Sequence, residues 1–220
     1  MAYRQCLSLF VAYVVLLQAD NIDAAQNPKK KVTIAVYYEC MCPFSINFIT
    51  TQLWPTYIKL GSYMKVDLYP FGNGRKTITR DKNGNVTESI SCQHGDHECQ
   101  GNIVQCCTLE LYKRISIQVH FVSCMMSAAA PYLAGPQCAA EIGLEWGLIE
   151  KCSLSPYGKT LLMEMGNKTW EEHVSSVPHI VVNGIFSSFY TTVARKDLMS
   201  LVCGLLKEVP EPCKKNNKAE

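Results

Sequence analysis

The hydrophobic and polar positions fall into runs whose period changes along the chain. Lys31 to Tyr38 reads KVTIAVYY, β-branched and aromatic, the pattern of a buried strand. After Pro43 the apolar residues Ile46, Ile49, Leu53, Trp54, Tyr57 and Ile58 recur at helical spacing. Pro43 suits the first turn, where its missing N–H would be unpaired anyway. Pro55 lies inside this helix and is expected to kink it. Lys65 to Tyr69, KVDLY, is a second short strand. The three elements predict a parallel β-α-β unit with a right-handed crossover.

The pattern then loosens. FGNGRKTITRDKNGN reads as turn-rich chain, and helical stretches follow around Ile103–Val119 and Cys138–Ile149. Val177 to Val182 returns to strand character. Asn183-Gly184 is a strong hairpin signal, with Ile185 to Tyr190 as the returning strand. Asp197 to Leu206 reads as a closing helix. The order β-α-β, insertion, β-β-α is that of a thioredoxin-like α/β fold. Its two parts are expected at 31–71 and 168–213, around a helical, disulfide-rich insertion at 72–167. A polar tail follows at 214–220.

Composition changes the picture at the N-terminus. Arg4 precedes the apolar run LSLFVAYVVLL at Leu7 to Leu17, which is too short to span a bilayer. This is a signal-peptide pattern, with cleavage expected after Ala19 or Ala24. No other segment is apolar enough for a membrane anchor. Hydrophobic residues make up 48%, enough for a core, and the formal net charge of +2 gives no reason to expect nucleic acid as a partner.

The chain holds twelve cysteines; Cys6 would leave with the signal, so eleven remain. A secretory route makes disulfides the default reading of such cysteines. The sequons at Asn85 and Asn167 agree with that route as expected glycosylation sites. An odd count leaves at least one thiol free or bonded to another molecule.

Cys42 stands where the first strand meets the helix. The thiolate is the reactive form of cysteine, and a helix N-terminus favours it through unpaired N–H groups and the helix dipole. Cys42 is therefore the expected nucleophile. In this layout Pro178, as a possible cis-proline, would lie opposite the active-site helix. Val177 would then offer its backbone to a substrate strand. His179 would help if it faced Cys42, and otherwise faces solvent. The run Cys92-Gln93-His94-Gly95-Asp96-His97-Glu98-Cys99 holds enough ligands for zinc, but its spacing is tight and the oxidising route favours a disulfide. No metal and no cofactor are expected.

The stretch CQHGDHECQGN, from Cys92 to Asn102, resembles the signature of the gamma-interferon-inducible lysosomal thiol reductase family. The resemblance extends to YYE before Cys42, to Val177-Pro178 with Val182-Asn183-Gly184, and to Leu201-Val202-Cys203 with Cys213. It implies lysosomal or secretory delivery and reduction of disulfides in proteins or peptides, with small thiols as reductant. It also implies that Cys42 is the nucleophile and that Cys92, Cys99, Cys107, Cys124, Cys138, Cys152, Cys203 and Cys213 are structural.

Three departures stand out. Ser45 occupies the position of a resolving cysteine, and Cys40 and Cys106 are additional. Counting suggests a Cys40–Cys106 bond with Cys42 as the single free thiol; a Cys40–Cys42 bond is a strained rival. Ser45 cannot displace a thiolate from sulfur, so the expectation is a monothiol oxidoreductase with weak dithiol activity. The alternative is a secreted protein-binding module that has lost reductase activity on the same scaffold.

Overall fold

The computed structural model describes residues 31–214. The expected signal segment and the tail beyond Lys214 lie outside them. In chain order the elements begin with β1 (Val32–Tyr38), α1 (Pro43–Phe48), a π-helical turn (Ile49–Leu53), α2 (Trp54–Leu60) and β2 (Met64–Pro70). A hairpin of β3 (Arg75–Arg80) and β4 (Val86–Ser91) leads to α3 (Asp96–Leu111), α4 (Ile115–Ser127), α5 (Gly135–Ile142), α6 (Trp146–Ser153) and α7 (Pro156–Glu171). The chain closes with β5 (His179–Val182), β6 (Ile185–Phe186), α8 (Ser188–Leu205) and α9 (Glu211–Lys214).

The main sheet has strand order β2-β1-β5-β6. The central strand β1 runs parallel to β2 and antiparallel to β5, so Val36 sits between Leu68 and Ile180. Because side chains alternate across a strand, β1 serves two different surfaces. Ile34, Val36 and Tyr38 join Val66, Leu68, Ile180 and Val182 in one core with Phe48, Leu53, Leu198 and Val202. On the other side Tyr37 stacks on Tyr69 at 4.3 Å. His179 meets Tyr37 edge-on and stacks on Phe186 at 3.8 Å.

A second core fills the helical region with Phe71, Ile103, Phe121, Met125, Ile149, Leu161 and Leu162. Helix α4 is hydrophobic on two sides and serves both cores. Val119, Val122 and Met126 enter the first, while Phe121 and Met125 enter the second. Truncating any of these buried residues to Ala would cost roughly 2–5 kcal/mol, so the sheet and the helical region share load through this helix.

Several elements differ from the sequence reading. The turn-rich stretch is a β-hairpin from Arg75 to Ser91, its strands almost wholly exposed. The first expected insertion helix is two, parted at 112–114, and the second is two, parted at Gly143 in the left-handed region. After β1 the chain takes up Pro55 through the π-helical turn just before it. The returning strand stops at Phe186, and Ser187 caps α8 by accepting from the Tyr190 amide at 3.0 Å. That helix begins nine residues before the expected start, with non-helical backbone at Asp197. Asn183 and Gly184 both have positive φ, the conformation of a type I′ turn.

Candidate functional site

The strand-to-helix corner is built from Glu39-Cys40-Met41-Cys42-Pro43. Strand β1 ends at Tyr38, and the Cys42 amide donates to the Glu39 carbonyl at 3.3 Å, turning the chain. Cys42 is extended (φ −67°, ψ 121°) and caps α1, with its carbonyl accepting from Ile46 at 2.9 Å. Pro43 supplies the first helical residue. No acidic side chain lies in the first turn to oppose a negative sulfur.

The Cys42 sulfur points at the Val177 carbonyl, 4.0 Å away. The Val177–Pro178 peptide is cis, and Pro178 is buried while Val177 is partly exposed. Phe44, next to Pro43, is 61% exposed, and the Arg195 guanidinium lies 5.2 Å from its ring centre. Ser45 is fully buried one turn along α1, and its hydroxyl has no hydrogen-bond partner among the described residues. His179 does not face solvent: it is 4% exposed, on the sheet face carrying Tyr37 and Phe186. Burial lowers its pKa, against an opposing contact with Glu172 at 3.4 Å.

Among the described residues eight cysteines form four disulfides: Cys92–Cys99, Cys107–Cys152, Cys124–Cys138 and Cys203–Cys213. Cys40, Cys42 and Cys106 remain free thiols. The Cys40–Cys106 bond suggested by counting is therefore absent. Cys40 donates from sulfur to the Glu98 carbonyl at 3.5 Å, and its amide donates to Asn102 Oδ1 at 3.0 Å. Its sulfur passes so close to Gly101 that a Cβ there would meet it at 2.6 Å. Cys106 is oriented toward the Pro70 carbonyl at 3.9 Å. Burial first, and Glu98 next, push the Cys40 thiol up; burial does the same to Cys106. Such thiols are inert at neutral pH.

Behind the corner lies a cluster that joins Glu39, not singled out from the sequence, to His94 and Glu98 of the run weighed there for zinc. Glu39 and Glu98 are wholly buried and approach His94 from two sides. Glu98 comes from the first turn of α3, and the Cys92–Cys99 disulfide closes the loop that carries His94. Glu39 reaches across Gly72, where φ is +58° and a Cβ would lie 2.3 Å from the Glu39 side chain. Burial and the neighbouring Glu98 raise the Glu39 pKa to about 7, against the lowering effects of the Asn73 amide and His94. The signature run was the available signal for His94 and Glu98, and YYE for Glu39. Their meeting depends on α3 packing against the end of β1. The disulfide at Cys92 and Cys99 removes both thiolates from any metal role, and His97 stacks on Tyr132 at 4.3 Å. Both sequon asparagines are exposed, Asn85 at the β3–β4 turn and Asn167 on α7, although Thr169 of the second sequon is buried.

Comparison with known proteins adds findings of three kinds. A family model described as gamma interferon inducible lysosomal thiol reductase matches residues 33–142. The gamma-interferon-inducible lysosomal thiol reductase of Carassius auratus is 34% identical, over 83% of this chain and 72% of its own. GILT-like protein 1 of Drosophila melanogaster is 31% identical, over 95% of this chain and 88% of its own. Among solved structures, reduced DsbA from Mycobacterium tuberculosis superposes with a TM-score of 0.53 at 17% identity, covering 87% of this chain and 92% of that one. A thioredoxin-like oxidoreductase from Silicibacter pomeroyi gives 0.50 at 11%, covering 77% and 87%. At these identities the likeness shows the fold, which is thioredoxin-like.

Proposed function

The chain belongs to the gamma-interferon-inducible lysosomal thiol reductase family, and on that premise we propose that it is a monothiol thiol–disulfide oxidoreductase acting on protein disulfides. The observation that carries this reading is the pair Cys42 and Ser45. Cys42 caps the helix with its sulfur toward the Val177 carbonyl, while the position one turn on holds a hydroxyl instead of a thiol.

In the first step the Cys42 thiolate attacks one sulfur of a substrate disulfide. The S–S bond breaks, a Cys42–substrate disulfide forms, and the other sulfur leaves as thiolate. A dithiol enzyme would resolve this internally, with effective molarities up to about 10⁵–10⁸ M in favourable cases. Ser45 offers no such step. A small thiol must attack the substrate sulfur of the mixed disulfide, expelling the Cys42 thiolate. A second equivalent then releases the substrate thiol, so two small thiols are oxidised for each disulfide reduced. The Val177 carbonyl beside the Cys42 sulfur suits main-chain pairing with an extended substrate, and exposed Phe44 offers it an apolar contact. Asn85, exposed at a hairpin turn, suits glycosylation on a secretory or lysosomal route.

The test is reduction of a disulfide-bonded protein with excess small thiol, at about pH 4.5 and about pH 7. Wild type is compared with Cys42→Ser. The variant is expected to fall to the uncatalysed rate at both pH values. Equal rates would overturn the reading and leave the scaffold as a protein-binding module.

A further inference from the structure

We propose that Glu39, His94 and Glu98 form a binding site for a single divalent first-row cation, with Zn²⁺ as the best fit. The donor atoms of the three residues lie within 4.8 Å of one another. His94 Nδ1 is 2.6 Å from Glu98 Oε2 and 3.5 Å from Glu39 Oε2. Glu39 Oε2 is buried and has no hydrogen-bond partner among the described residues. A buried carboxylate oxygen without a partner is costly, and this one is aimed at the other two donors.

The supporting bonds are those of a prepared site. Each carboxylate has one oxygen fixed by a backbone amide and the other left to face the cluster. Glu39 Oε1 accepts from the Asn73 amide at 2.5 Å, and Glu98 Oε1 accepts from the His94 amide at 3.0 Å. Such outer bonds orient metal ligands. The Cys92–Cys99 bridge holds the His94 loop to α3, and the His94 side chain, one third exposed, gives solvent a route in.

Charge and donor type choose the ion. Two carboxylates and one neutral imidazole around a dication sum to zero, whereas the cluster alone buries two acids against one histidine. Mg²⁺ and Ca²⁺ prefer all-oxygen shells, while imidazole with carboxylate suits Zn²⁺. Typical Zn–N and Zn–O bonds of about 2.0–2.2 Å match the 3.5 Å edge between His94 and Glu39. The 2.6 Å edge has to open by about 0.8 Å, to the same tetrahedral separation, when the ion replaces the proton shared by His94 Nδ1 and Glu98 Oε2. Water completes a four-coordinate shell.

The inference stands apart from the reductase reading, because binding can be measured without the nucleophile. The chelator-stripped Cys42→Ser protein, disulfides intact, is titrated with ZnCl₂ by calorimetry near neutral pH. One ion per chain is expected, with the same affinity as wild type. His94→Ala should weaken binding by more than about 100-fold, since even outer-shell losses cost about 10–100-fold. Glu39→Gln, nearly isosteric, should do the same if His94→Ala folds poorly. Co²⁺ in place of Zn²⁺ should give visible d–d bands without a thiolate charge-transfer band. No saturable binding by the folded protein would overturn the proposal. So would unchanged affinity in either variant, or binding that vanishes in Cys42→Ser.

Discussion

In the helical region from Cys92 to Cys152 every cysteine except Cys106 is half of a disulfide, whereas at the corner after β1 both Cys40 and Cys42 stay as thiols. The bonded pairs there have Cα separations of 5.5–5.9 Å, inside the ordinary range. At the corner the sulfurs are directed apart: Cys40 toward the Glu98 carbonyl and Gly101, Cys42 toward Val177. The contrast teaches that environment, not spacing, sorts this chain's sulfur. Cys40 and Cys106 are sealed in by packing and kept protonated by burial. Cys42, itself only 6% exposed, is the free thiol placed at a helix start beside a partly exposed strand end.

The largest expected effect breaks the cross-linked side of this comparison. Replacing Cys107 and Cys152 together by Ala opens a loop of 45 residues. Chain entropy alone then costs about 4 kcal/mol, read as a lower midpoint in urea unfolding. Cys42 should still be alkylated in the native state, since its corner rests on the other core.

A smaller effect lies on the thiol side. The unpartnered Ser45 hydroxyl carries a desolvation cost of about 1–3 kcal/mol. Ser45→Ala should therefore be neutral or stabilising within that range, measured by the same unfolding assay. A clear loss of stability would mean that the hydroxyl does have a partner.

The smallest concerns pH. His179 is held neutral by burial, with its pKa below the ordinary 6.5. The unfolded state then binds more protons between the lowered value and 6.5, so stability is full above about 6.5 and falls as pH drops through that window. His179→Gln should flatten the fall, while unchanged pH dependence would show that His179 is not buried neutral.

Much of the scaffold was legible. The β1 run, Pro43 and Asn183-Gly184 carry local physics: β-branched burial, a tolerated missing N–H, and positive φ at two adjacent residues. The β3–β4 hairpin was not legible as strands because it has no buried face to impose alternation, so only the turn-rich composition of the stretch showed. Counting cysteines failed for a different reason. An odd total constrains parity, but it does not say how many thiols packing will isolate, and among the described residues three remain. At the site, Cys42 and Ser45 were readable from one short stretch. The Glu39–His94–Glu98 cluster joins residues more than fifty positions apart, and no local pattern announces such a meeting.

The central claim is that Cys42 works without an internal partner, and the lifetime of its mixed disulfide tests this directly. Wild type and Ser45→Cys are each joined through Cys42 to a small disulfide-bonded peptide, freed of excess thiol, and followed by mass spectrometry. In wild type the adduct should persist until an external thiol is added. In Ser45→Cys it should release the peptide spontaneously, with a new bond between residues 42 and 45. Equally fast release from wild type without added thiol would contradict the account and point to another sulfur, such as Cys40, as the resolving group.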